Sequence, residues 1–203
     1  MKVLMVDVDG VVVRGRPADG LPPLTYLERD LGLPAALLQR EFFAPYWSEI
    51  VTGKEALMPR LEAVLARIAP QLSAEMLRAY WFENDSRIDH VFLEALSAWC
   101  ACGIAIYLAT NQEHMRAKYL MEERGLAAHV DGILYSAALG HRKPSAEFYR
   151  LANEHAGVAA ADIVFIDDMR ENVEAARAFG WNAVEWNGQV GLDEVLAPFV
   201  NGR

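Results

Sequence analysis

Apolar positions along this chain form two kinds of run. From about Asp89 onward, stretches of helical period alternate with short, continuous apolar segments: DHVFLEALSAWCACG, IAIYLAT, EHMRAKYLMEERG, GILYS, SAEFYRLANEHAG, IVFIDD, ENVEAARAFG and NAVEW. The short segments lack polar alternation, as strands do when helices cover both faces of a parallel sheet. With the opening KVLMVD they make five strands. The β-α-β-α order predicts an α/β fold built on a doubly wound parallel sheet.

Between the opening strand and Asp89 the pattern is helical. Leu24, Leu27 and Leu31 recur at helical spacing. Leu57, Leu61, Val64, Leu65 and Ile68 form a second apolar stripe, and Met76, Leu77, Tyr80 and Trp81 a third. Thr52-Gly53-Lys54-Glu55 fits a capping box opening the second of these helices. Pro17, Gly20, Pro22 and Pro23 at one end and Asn84-Asp85-Ser86 at the other suit hinges. The expected division is a sheet domain from 1–15 and 86–203, interrupted by a small all-helical insert at 16–85.

With 203 residues, 53% of them hydrophobic and 23% charged, the chain can bury a sizeable core and shows no low-complexity tract. Its net charge of -9 disfavours nonspecific binding to nucleic acid or an anionic membrane. No apolar run reaches the roughly 18 residues a membrane span needs, and no leader pattern precedes the first strand, so a cytoplasmic location is expected. Cys100 and Cys102 are the only cysteines, and core thiols are expected there in the absence of a surrounding ligand cluster.

The first strand poses a chemical question: Asp7 and Asp9 stand beside Gly10 in a segment that otherwise asks for burial. In an open parallel sheet the ligand site lies beyond the carboxyl ends of the strands. Thr110 and Asn111 end IAIYLAT, Asp167 and Asp168 end IVFIDD, and Lys143 follows GILYS. Taken singly, each has a structural explanation: Asn111 as a helix cap, Lys143 as a solvated loop charge, a strand-closing Asp as a turn residue. Taken together, they bring four carboxylates, a hydroxyl and an ammonium into one crevice. Converging carboxylates raise one another's pKa unless a cation neutralises them, and oxygen-only ligands suit Mg²⁺. His114 and His141 are the only histidines near these segments, too few for a zinc cluster, and His141 is read as a plain loop residue.

These segments, in order, resemble the motifs of the haloacid dehalogenase-like superfamily, whose members are mostly phosphatases. Asp7-Val-Asp9-Gly10-Val11 is similar to D-x-D-G-[VT], Thr110-Asn111 to the second motif, Lys143-Pro144 to the third, and Asp167-Asp168 with Asn172 to a D-D-x-x-x-N form of the fourth. The helical insert resembles the family's cap placed after the first motif.

The resemblance implies a Mg²⁺-dependent phosphatase for a small phosphorylated metabolite, a sugar phosphate among the candidates. Asp7 is then the nucleophile and Asp9 the general acid and base. Thr110, Asn111 and Lys143 bind the phosphoryl group. The metal set is Asp7, the Asp9 main-chain carbonyl, Asp167 and Asp168. An acid at residue 9 favours phosphate over halide chemistry, since expelling halide needs no proton donor. The fourth motif departs from the commoner G-D-x-x-x-D, which leaves the division of metal ligation between Asp167 and Asp168 open.

Alternatives are a phosphosugar mutase of the same superfamily and a non-enzymatic phospho-receiver module. The receiver carries its acidic pair on the first strand and no helical insert. In the insert, Phe42, Phe43, Tyr46 and Trp47 are expected to pack its own core before serving as a substrate wall. Arg14 and Arg16 either reach substrate or face solvent. Oligomeric state is not indicated.

Overall fold

A computed structural model describes residues 1–200. The strands are β1 (Val3–Val6), β2 (Ala105–Thr110), β3 (Gly132–Tyr135), β4 (Ile163–Asp167) and β5 (Asn182–Glu185). Helices α1 (Leu27–Leu31), α2 (Ala35–Leu38), α3 (Ala44–Val51), α4 (Leu57–Ile68) and α5 (Ala74–Asn84) follow β1. Then come α6 (His90–Ala101) before β2, α7 (His114–Lys118) after it, and α8 (Ser136–Leu139) and α9 (Ala146–Ala156) after β3. Last are α10 (Arg170–Phe179) after β4 and α11 (Leu192–Val200) after β5.

The expected five-stranded parallel sheet is present, in the order β3-β2-β1-β4-β5. Side chains alternate between its faces, as strand geometry requires. Leu4, Val6, Ile106, Leu108, Val164 and Ile166 pack with Phe92, Leu93 and Leu96 of α6. Val3, Met5, Ala109, Ile163 and Phe165 pack on the other side with Phe148 and Tyr149 of α9 and Val173 of α10. Both faces are covered, which is why the strands read as unbroken apolar runs. The chain leaves β1 toward β2 on one side and β4 toward β5 on the other. The strand order therefore reverses between β1 and β4, and a crevice opens at their carboxyl ends.

Helices α1 to α5 hold a separate apolar cluster that includes Leu27, Phe42, Leu61, Leu65, Leu77 and Phe82. Phe43, Trp47 and Trp81 meet edge to face with centroids 5.4 to 5.5 Å apart, so the FFAPYW aromatics pack against their own helices. The two chain passages joining this body to the sheet run side by side. Val13 and Ile88 form an antiparallel bridge, Arg14 N donates to Arg87 O at 2.8 Å, and Arg87 N donates to Gly15 O at 3.0 Å.

Some local expectations are corrected. Thr52 ends α3 and opens no helix: its hydroxyl donates back to Ser48 O at 2.7 Å, and α4 starts after Ala56. Met76 is 54% exposed and lies off the buried stripe of α5. Cys102 is exposed, at the end of α6 where the chain leaves the core. Helix α7 is shorter than expected because Tyr119–Glu123 continues it as a π-helical turn. Helix α11, which the apolar pattern does not predict, buries Leu192 and Leu196 despite Pro198 within it. Among the described residues no helix is long and apolar enough to cross a membrane.

Candidate active site

The crevice beyond β1 and β4, about 320 Å³, is lined by Asp7, Asp9, Gly10, Thr110, Asn111, Asp168, Met169 and Asn172. A larger cavity of about 520 Å³ lies elsewhere, lined among others by Arg14, Asp89 and Trp186, and none of the predicted acids reaches it.

β1 ends at Val6, but the ladder continues one residue as Asp7 N donates to Ile166 O at 2.9 Å. The chain then folds tightly: the amides of Val12 and Val13 both donate to Val8 O at 2.8 Å, and Gly10 N donates to Val13 O at 2.8 Å. Gly10 takes φ +85, in the left-handed region open to glycine. Val8, Val11, Val12 and Val13 anchor this turn in the core. The turn thus leaves Asp7 nearly buried, while Asp9 keeps a half-exposed carboxylate.

Lys143 is 2% exposed, with Nζ 2.9 Å from Asp7 Oδ1 and 2.5 Å from Asp167 Oδ2. A solvated loop charge is thereby excluded. Its loop is held by Asn111, whose Oδ1 accepts from Lys143 N at 2.8 Å and whose Nδ2 donates to Lys143 O at 3.0 Å. Asn111 does not cap α7; Glu113 does, accepting from Met115 N at 2.9 Å. Thr110, almost fully buried, accepts from Gln112 Nε2 at 3.4 Å.

Oxygens of Asp7, Asp167 and Asp168 all lie within 4.8 Å of one another. Burial pushes the Asp7 carboxyl up to about 7; Lys143 opposes that shift and Asp167 adds to it. Asp168 is also raised, by burial first and then by Asp167. The acids differ in what they already hold. Asp167 accepts from Lys143, from Asn172 Nδ2 at 3.0 and 3.1 Å, and from Met169 N at 2.8 Å. Asp168 Oδ1 is buried with no hydrogen-bond partner, and Asn172 Oδ1 likewise. An orphaned carboxylate oxygen beside two further acids, with only hard oxygen donors around, fits a divalent cation such as Mg²⁺. The Asp9 carboxylate lies outside this group. Its Oδ2 accepts from Gln112 Nε2 at 2.6 Å, and its Oδ1 stands 3.7 Å from Arg116 Nη2.

The sequence pattern does not single out Gln112 or Arg116, and it marks Asp85 only as part of a hinge. Gln112 lies two residues beyond Thr110, in the loop before the Glu113 cap, and Arg116 lies within α7. Nothing local marks them as polar partners of Asp9. Arg16 neither lines the crevice nor faces solvent: it is buried, with its guanidinium 4.7 Å from the Tyr26 ring centroid. Arg14 pairs with Asp89 at 3.2 Å. His141 is an exposed loop residue.

A parallel sheet with a D-x-D turn on its central strand and a buried lysine between two strand-end acids defines a recognisable class of hydrolase. The family model described as haloacid dehalogenase-like hydrolase matches residues 1–180, and the chain belongs to that family. Among curated relatives, the sesquiterpene phosphatase astK of Aspergillus oryzae is 40% identical over 78 residues, 38% of this chain and 40% of that protein. Enolase-phosphatase E1 of Xylella fastidiosa (strain 9a5c) is 29% identical over 115 residues, 54% of this chain and 49% of that protein. The chain thus spans half or less of the length of these two relatives. A phosphoglycolate phosphatase of Nitrosococcus oceani is 26% identical over 196 residues, 90% of this chain and 82% of that protein. Among solved structures, a HAD family enzyme of Bacteroides thetaiotaomicron, in complex with magnesium and inorganic phosphate, superposes with a TM-score of 0.81. It is 16% identical, covering 96% of this chain and 98% of that one, a likeness of fold.

Proposed function

We propose that this protein is a Mg²⁺-dependent phosphatase that hydrolyses a small phosphorylated metabolite of the cytoplasm, a sugar phosphate among the candidates, through an aspartyl-phosphate. The observation that carries this reading is the contact of Lys143 Nζ with Asp7 Oδ1 beside the unpartnered Asp168 Oδ1. A nucleophilic carboxylate, a fixed counter-charge and an open ligand position meet at one point. The three curated relatives are named as phosphatases, which favours phosphate monoesters; they differ in the alcohol that is released.

Asp7 attacks phosphorus in line as the bond from phosphorus to the alcohol oxygen breaks, and the acyl phosphate that forms on its carboxylate divides the hydrolysis into two steps. Asp9 gives a proton to the departing alkoxide, then as carboxylate takes one from the water that opens the aspartyl-phosphate. Thr110 accepts from Gln112, which leaves its own hydroxyl proton for a phosphoryl oxygen. The main-chain amide of Asn111 binds a second phosphoryl oxygen. Lys143 neutralises charge on the transferring group, and its position is fixed by Asp167 and Asn111.

Asp7, Asp168 and the Asp9 carbonyl would hold the Mg²⁺, which supplies positive charge for the phosphoryl oxygens. Asp167, saturated by Lys143, Asn172 and Met169, acts on this site through those partners. Residues 16–85 are read as a cap that excludes water over the crevice.

Inorganic phosphate release from a panel of phosphorylated metabolites and p-nitrophenyl phosphate, with and without EDTA, tests this reading. Turnover that is restored by Mg²⁺ and lost in Asp7→Asn is the expected result. Unaltered turnover in Asp7→Asn would refute it.

A further inference from the structure

Arg116 is 1% exposed and makes no contact with solvent that would account for its charge. Its guanidinium Nη1 donates to Phe82 O at 3.2 Å, and Nη2 donates to Asp85 O. Nη2 also stands 3.3 Å from Asp85 Oδ2 and 3.7 Å from Asp9 Oδ1. The rings of Phe82 and Tyr119 lie 5.5 and 5.7 Å from Cζ. Phe82 belongs to the last turn of α5, and Asp85 begins the return passage to the sheet. One side chain therefore grips the end of the helical body and the Asp9 carboxylate together.

The other side of that body is attached beside the Gln112 main chain, whose carbonyl lies 3.2 Å from the Ser136 hydroxyl, and it reaches Asp9 only through the Gln112 side chain. There the Ser136 hydroxyl donates to Val51 O at 2.6 Å, and Gly53 lies against the Ala137 carbonyl so closely that a side chain would clash. Asp9 itself has one further anchor, Gln112 on Oδ2. Two donors define the plane of a carboxylate; one leaves it free to turn.

We propose that Arg116 is a positioning residue that makes the orientation of Asp9 conditional on the seating of the helical body. With Phe82 and Asp85 in place, the guanidinium is held toward Asp9 Oδ1. When they withdraw, Arg116 loses its carbonyl partners and its counter-ion, and Asp9 is left with Gln112 alone. Proton donation to the leaving alkoxide is thereby coupled to docking of the body, at the moment when water is excluded. The inference rests on the phosphatase reading above.

The readout is dependence on the leaving group. p-Nitrophenolate departs without protonation, whereas an alkoxide needs the proton that Asp9 gives. The kcat/KM ratio of p-nitrophenyl phosphate to ethyl phosphate should rise on the order of 10- to 100-fold in Arg116→Met, part of the full general-acid contribution. Arg116→Lys, which keeps the charge, and Asp85→Asn, which keeps the Asp85 carbonyl, should fall between wild type and Arg116→Met. A merely structural role would lower both substrates alike. Equal loss on both, or an unchanged ratio, overturns the inference while leaving the phosphatase reading intact. No phosphate release by the wild-type protein from either substrate overturns both. If Arg116→Met fails to fold, the ratios of the other two variants decide the matter on the same criterion.

Discussion

Gly10 and Asp168 compete for one volume. A Cβ built on Gly10 would overlap the Asp168 carboxylate, so the first acidic turn is closed by a residue without a side chain in order that the last acid can approach. The positive φ of Gly10 adds a backbone reason to the steric one. Gly10→Ala should therefore do more than strain a turn by about 1–2 kcal/mol. Asp168 must move, and its orphaned oxygen goes with it. The expected outcome is a folded protein whose Mg²⁺-induced rise in melting temperature is largely lost, together with phosphate release. A variant that retains the full Mg²⁺ shift would show that Asp168 is not positioned in this way.

Lys143 is wedged between two carboxylates and has no route to water. Taking away a buried counter-ion leaves its partners uncompensated, a loss of about 3–5 kcal/mol. Lys143→Met should lower the urea midpoint accordingly and abolish phosphate release. Added Mg²⁺ should recover part of the stability, because Asp7 and Asp167 then face a cation again, but not the turnover.

Asp85 carries a different pH signature. Burial, and then the charge of Asp9, raise its carboxyl to about 6 against the opposing pull of Arg116. A folded-state pKa above the unfolded one means that the folded protein holds the proton more tightly. This group's contribution therefore favours the fold at low pH and turns against it as pH climbs from about 4 to 6. Asp85→Asn removes the titration. Its stability relative to wild type should improve between pH 4 and 7 by on the order of 1–3 kcal/mol, read from urea denaturation at several pH values.

For Mg²⁺ the relevant proton is on Asp7, whose carboxyl rises to about 7 in the metal-free chain. By the same sign argument, the metal-free protein should lose stability as pH rises from about 4 to 7. Binding needs the ionised carboxylate, so apparent Mg²⁺ affinity should climb with pH below 7, approaching about tenfold per unit, and level off above it. Thermal-shift titrations with MgCl₂ at pH 6, 7 and 8 check this, and EDTA should return the pH 8 protein to its least stable form. Equal affinity at pH 6 and 8 would contradict the assignment of Asp7 as a ligand.

The sheet was legible because each of its strands declares itself locally. Val3 to Val6 and Ile163 to Ile166 are apolar on both faces, and only a strand covered on both sides uses such a run. The acids were legible for a related reason: Asp7, Asp167 and Asp168 sit where apolar runs stop, and a parallel sheet brings strand ends together whatever lies between them. What Asp167 and Asp168 each hold was not. They are adjacent and chemically identical, and what separates them is that Lys143, Asn172 and the Met169 amide converge on one and leave an oxygen of the other bare.

Thr52 and Met76 illustrate the opposite case, in which a local pattern was present and the packing declined to use it. The Thr52 hydroxyl found a carbonyl of the preceding helix, and Met76 lay just off the buried stripe.

Period and residue type, both properties of neighbouring positions, thus sufficed for the α/β order and the rim on which the acids stand. Which side chain each acid meets was settled by the fold alone. Arg116 reaches Asp85 across 31 residues and Gln112 reaches Asp9 across 103, and a contact between such distant points exists only once burial has removed the water that would otherwise satisfy both partners.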